Sequence, residues 1–214
     1  MASQSELDRQ TELLILYLRN MQKVKWRLQA IEEIKSKKRT TSFEHTNIEF
    51  CVLQIRKILE LIALSSLVSD ADIYKEQLNN VEKMWNARLI LNDIERINPK
   101  FFPQPICIDP LNTSIWNKRQ EPSLTRDSFV RIYERCGKYL HEDSPFKTEK
   151  QIKDEYNALW NDIGTWGQLI INLLYTHVVQ LYNNDRLFYI ALGEHSERPH
   201  GNIFEKIDES KLSN

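Results

Sequence analysis

Glycine and cysteine are scarce in this chain. Five glycines in 214 residues supply no glycine-rich phosphate loop, and the sequence holds neither a Gly-x-Ser-x-Gly elbow nor a His-Glu-x-x-His metal motif. The three cysteines, Cys51, Cys107 and Cys136, are odd in number and far apart. They exclude a four-cysteine zinc site by count and a finger of two cysteines and two histidines by spacing. They point to a reducing compartment rather than a disulfide framework. His195 and His200 have no cysteine partner and no familiar metal spacing, so neither a metal nor a cofactor is expected. Four of the seven prolines crowd into residues 99–110. The remainder runs in long uninterrupted segments, which favours helix.

An excess of charge of one sign is missing as well. The net charge is -1 with 28% charged residues, so no global basic field marks a nucleic-acid binder, and a polyanion site must be a local patch. The N-terminal residues carry an acid early and lack the basic-then-apolar order of a signal peptide. Residues 163–184 are long enough to span a bilayer and contain no Asp, Glu, Lys or Arg. Thr165, Gln168, Asn172, Thr176, His177 and Gln180 interrupt them, which favours a buried bundle helix over a membrane span. The expectation is a cytoplasmic protein with no membrane partner.

What is present is helical periodicity, and the fold expected is mainly α: a bundle of about five helices. The first runs from Ser5 to about Lys38 on a stripe of Leu7, Leu14, Leu18, Met21, Leu28 and Ile31/Ile34, broken once by Lys25. The second, from about Phe43 to Val68, is apolar around nearly its whole girth and belongs at the bundle's centre. Asp70–Ile97 gives a third helix or a broken pair, ended by Asn98-Pro99. Residues 98–123 form a long irregular loop, too apolar for a free linker, that wraps over the bundle with short β pairing open to it at Ile106–Ile108. A helix capped by Thr125 ends near His141, because Pro145 disfavours a helical Ser144. A last helix runs from about Thr148 to Tyr182, where Gly164 and Gly167 could let another helix approach and His177 is a core or rim residue. Two short apolar runs, 186–192 and 202–207, flank a turn-rich loop and read as a small C-terminal β-hairpin packed on the bundle. The domain division is 1–185 for the bundle and 186–214 for the hairpin and tail.

One stretch carries chemistry. Arg135 and His141 bracket Arg-Cys-Gly-Lys-Tyr-Leu-His near a helix end. A histidine can take the 2′-hydroxyl proton of RNA or protonate the leaving oxygen, and a guanidinium can bind the phosphate in a bidentate manner. On an ideal helix the two residues differ by roughly 9 Å in rise and about 120° in azimuth; Gly137 and the helix end supply slack. Arg56, four residues before Glu60, can pair with it or can line the same cleft, as can Gln54. The basic run Lys35, Lys37, Lys38 and Arg39 is either a solvated helix end or a phosphate contact. The structural alternative pairs Arg135 with Glu134 or Glu142 and leaves His141 as a C-terminal cap. Cys136 falls on the apolar side and reads as a buried thiol.

The Arg135…His141 spacing, late in a helix-rich chain, resembles the defining motif of the HEPN superfamily: Arg, four to six residues, then His. The resemblance covers roughly residues 5–182. It implies a compact helical bundle, a metal-independent endoribonuclease or RNA-binding activity in toxin–antitoxin or phage-defence systems, and homodimerisation that brings two motifs together. On this chain it implies Arg135 as phosphate ligand and His141 as general acid/base. Active members usually carry a polar residue directly after the arginine; this chain has Cys136. The reading from another class is a non-catalytic helical scaffold that holds a protein partner through 98–123 or the hairpin.

Overall fold

The apolar girth of the second helix decides the architecture. In the computed structural model, which describes residues 4–69, 87–112, 115–142, 144–181, 186–194 and 196–205, α2 (Glu44–Ser69) lies at the centre. It touches α1 (Gln4–Lys35), α3 (Ala87–Ile97), α4 (Arg126–Tyr139) and α5 (Glu149–Leu174). Cys51, Val52, Ile55, Ile58, Leu59 and Ile62 are fully buried along it. Its inward serines satisfy themselves: the Ser65 and Ser66 hydroxyls donate to the carbonyls of Leu61 and Ile62, at 2.7 and 3.2 Å. The five described helices and a small antiparallel sheet make the fold mainly α, as the periodicity predicts.

Of the expected stripe α1 buries Leu14, Met21, Ile31 and Ile34, together with Tyr17 and Val24, while Leu18 and Leu28 are half-buried and Leu7 is exposed. The basic break at Lys25 has a structural cause. Its ammonium donates to the carbonyls of Leu192, Gly193 and Glu197 at 3.3, 3.1 and 2.7 Å, and also to that of Glu194. The turn into α2 passes through left-handed Lys37 (φ 59°) and Ser42 (φ 86°). Asn98 stops α3, its side chain donating to the Gln180 carbonyl at 3.0 Å. Residues 70–86, which the sequence reading includes in the third helix, lie outside the described residues.

Both later helices start on reciprocal caps. Thr125 accepts from the Ser128 N–H and Thr148 from the Gln151 N–H, while the Ser128 and Gln151 side chains return to the cap backbone. α5, however, stops at Leu174 rather than at Tyr182. Thr176–Gln180 is a strand, β3, and alternates half-buried and buried positions. Its β-branched residues find partners in β4 (Arg186–Ala191), a long-range pairing that outweighs the helical continuation.

The expected hairpin exists, as β4 and β5 (His200–Glu205), but it forms one side of a five-stranded antiparallel sheet ordered β2-β1-β3-β4-β5. The proposed boundary at residue 185 therefore falls between two paired strands. β1 (Gln104–Ile108) and β2 (Trp116–Lys118) come from the long loop. β1 pairs with β3 only through Gln104 and Pro105, and with β2 through Ile106 to Ile108. In a flat sheet β2 and β5 would stand roughly 19 Å apart. Trp116 nevertheless meets Phe204 edge-on at 4.8 Å between ring centroids, with Tyr189 at 5.3 Å. The β1–β2 ribbon thus folds back over the sheet.

The opposite sheet face joins the helical core. Phe188, Ile190 and Val179 are fully buried there. His177, on β3 and not on a helix, is also fully buried. Its Nδ1 lies 3.1 Å from the Leu174 carbonyl and its Nε2 3.0 Å from the Tyr17 hydroxyl. With Nδ1–H donating to the carbonyl, Nε2 accepts from the tyrosine, and both polar ends are satisfied.

Candidate nucleic-acid site

Arg56 projects from α2 onto the side of α4. Its Nη2 donates to the Tyr133 hydroxyl at 3.0 Å, and its guanidinium carbon sits 4.3 Å from the Tyr133 ring centroid. Its Nε lies 3.5 Å from Glu60, the i,i+4 pair that the spacing predicts. One helical turn beyond Tyr133, Gly137 makes room for it: a β-carbon there would stand 2.9 Å from Arg56 Nη1.

Arg135 leaves α4 in another direction. It pairs with Asp162 on α5, and its guanidinium carbon is 5.4 Å from the Trp166 ring centroid and 6.0 Å from that of Tyr139. Neither Glu134 nor Glu142 is its partner; Glu134 takes Arg88 at 2.7 Å. Between the two arginines lies Cys136, fully buried, its thiol pushed up to about 12 by burial against the opposing pull of Arg56 and then Arg135. That is an inert thiol, as its place on the apolar side predicts.

His141 follows the end of α4 and is exposed. Its backbone N–H reaches the Lys138 carbonyl at 3.4 Å. No hydrogen bond or ion pair joins its ring to Arg135 among the described residues. Arg56 lies against Tyr133 and Gly137, one turn apart on α4, whereas His141 stands two residues past the last helical residue, Tyr139.

The basic run divides. Lys37, Lys38 and Arg39 are exposed at the α1–α2 turn, and Arg39 pairs with Glu33 at 2.8 Å. Lys35 instead turns inward over Trp160, 4.7 Å from its ring centroid, and donates to its carbonyl at 3.3 Å. Gly164 faces that lysine and Gly167 has no neighbour within 4 Å, so neither glycine seats another helix. Lys35 and Arg135 thus flank one stretch of α5, Trp160–Trp166, and Arg56 and Arg135 flank Cys136.

Two partners escape a reading by sequence. Tyr133 reads as part of the apolar face, yet its hydroxyl is the hydrogen-bond partner of Arg56. Asp162 is one acid among many, with no spacing to single it out.

Among the described residues no group of three His, Cys, Asp or Glu side chains could hold a metal ion, and no helix is long and apolar enough to cross a membrane. His195 lies outside the described residues. Comparison of the chain with protein-family models, with curated proteins and with solved structures yields no match.

Proposed function

We propose that the chain binds RNA at a surface that includes Lys35, Arg56, Arg135 and His141, and that it cleaves RNA there without a metal. The observation that supports this most is the packing of the Arg56 guanidinium on Tyr133 and Gly137, on the helix that ends just before His141. A guanidinium fixed by an aromatic face and a hydroxyl is preorganised for a phosphate. His141, open to solvent, takes the 2′-hydroxyl proton. The 2′-oxygen then bonds to phosphorus, the P–O5′ bond breaks, and the 5′-oxygen receives a proton. Cyclic phosphate and a 5′-hydroxyl are the products. In this reading Arg56 is the principal phosphate ligand. Arg135 assists by exchanging the half-exposed carboxylate of Asp162 for phosphate, an exchange that costs little at the surface. Lys37, Lys38 and Arg39 extend the positive edge.

The HEPN resemblance belongs to the same proposal, as do pairing of two such surfaces in a homodimer, a cytoplasmic setting and a role in toxin–antitoxin or phage-defence systems. The test is cleavage of a single-stranded RNA in excess chelator by the protein and by its His141→Ala form, with helical circular dichroism as the control for folding. Loss of cleavage in a folded variant supports the assignment.

A second reading has its own support. Arg56 and Arg135 both have protein partners, Glu60 with Tyr133 and Asp162. A non-catalytic scaffold would use them solely to join α2, α4 and α5. It predicts no cleavage by the unmodified protein, and capture of a protein partner that depends on the β1–β2 ribbon or on β4 and β5.

A further inference from the structure

A second face of α1 carries a groove that none of the candidate-site residues line. Ile15, Arg19, Gln22, Trp26 and Gln29 recur at spacings of four and three, which places them within a band about 80° wide on one side of the helix. Opposite them stands the segment between β4 and β5, with Arg198 and Pro199, and the space between is about 640 Å³. Trp26 is 61% exposed. An indole left so open is unusual, because tryptophan is highly buried on average.

The charges around the groove are not balanced. Arg19 and Arg198 are exposed, and neither side chain has a hydrogen bond or an ion pair among the described residues. Lys25 is spent on the loop carbonyls. The one acid on the rim, Glu197, accepts from the Glu194 backbone N–H at 2.9 Å. What faces the groove is therefore an open aromatic surface, two uncommitted guanidiniums and the amide of Gln22, the Gln29 amide donating to Glu33 at 2.9 Å. An apolar peptide would leave both guanidiniums without partners. A nucleotide chain uses all of them, since bases stack on aromatic rings, phosphates pair with arginine, and amides reach base edges.

We propose that this groove is a second contact for single-stranded RNA. A base stacks on Trp26, the flanking phosphates pair with Arg19 and Arg198, and Gln22 meets the base edge. The inference rests on RNA being the ligand of this protein. It is independent of the chemistry assigned to His141.

The test is the binding of a fluorescein-labelled oligouridylate to the full chain, followed by anisotropy at several salt concentrations. The forms compared are the unmodified protein, Trp26→Ala, and Arg19→Gln with Arg198→Gln, each checked by thermal melting. Because Trp26 is exposed, its loss leaves the fold in place. Affinity falls on the order of tenfold in Trp26→Ala. In the double arginine variant the slope of log K against log salt drops by about 1.4. If the unmodified protein binds and the Trp26 and arginine variants bind equally well, the groove is not an RNA contact, and the proposal for His141 is untouched. If the unmodified protein does not bind the oligonucleotide at all, the RNA reading and this one fall together, and a protein partner takes the groove.

Discussion

Gly137 and Arg56 are matched across the α2–α4 interface: the absence of a side chain at one is the space occupied by the other, with 2.9 Å between a would-be β-carbon and Nη1. Alanine in mid-helix is favoured over glycine by up to about 1 kcal/mol. The clashing atom is the far end of a flexible side chain. Gly137→Ala should therefore fold and melt at an unchanged or slightly higher temperature. The same change pushes the guanidinium off Tyr133. RNA cleavage should fall on the order of 10- to 100-fold, comparable to loss of one electrostatic contact in a transition state. Thermal melting beside a cleavage assay separates the two effects, and full activity in a variant of raised stability would remove Arg56 from the site.

Asp162 holds Arg135, and in the RNA reading it competes with phosphate for that guanidinium. The two side chains are 31% and 42% exposed, so their pairing contributes less than about 1 kcal/mol. Asp162→Asn should leave the unfolding midpoint in urea within that margin and raise RNA affinity severalfold. An unchanged affinity would confine Arg135 to holding α4 against α5.

His177 predicts an acid-sensitive core. Burial lowers its pKa from 6.5 to about 4, opposed by the Leu174 carbonyl. Between these values the unfolded chain binds a proton that the folded chain refuses, so stability is complete above pH 6.5 and declines as the pH falls toward 4. The loss across that window is roughly 3 kcal/mol. Urea unfolding at pH 7 and pH 5 measures part of it. His177→Gln, which can still accept from Tyr17 and donate to Leu174, should flatten the dependence; an equal slope in that variant would place the titration elsewhere.

Two glycines should answer oppositely to the same change. A β-carbon at Gly167 meets nothing within 4 Å, whereas one at Gly201 runs into the backbone carbonyl of Tyr189 on the neighbouring strand. Gly167→Ala should stabilise the protein by about 0.5–1 kcal/mol. Gly201→Ala should cost on the order of 1–3 kcal/mol, since a paired strand has to move. Calorimetric melting of both variants checks the sign.

The helical body is legible in the sequence because its signals are local. The all-round apolar surface of α2, the Thr125 cap, the Asn98 stop and the Arg56–Glu60 spacing each depend on a few neighbouring residues, and each is found. The sheet is less legible. Thr176–Gln180 continues a helical pattern as readily as it makes a strand, and only β4 decides between them. Nor could any local rule bring Trp116 to Phe204, since that contact depends on how the β1–β2 ribbon folds back. At the candidate site the sequence locates the helix end near His141. It pairs His141 with Arg135, while the side chains turn Arg135 toward α5 and set Arg56 beside Gly137. Helical spacing does not fix the direction of His141, because α4 ends at Tyr139, two residues before it.

The most direct measurement is RNA cleavage in excess chelator by the unmodified protein and by His141→Ala at equal concentration, with the termini of the products identified. The account predicts cyclic phosphate and 5′-hydroxyl ends from the first, and from the second a fall of at least 100-fold with an intact circular dichroism spectrum. Undiminished cleavage by the variant, or none by the unmodified protein, would contradict it.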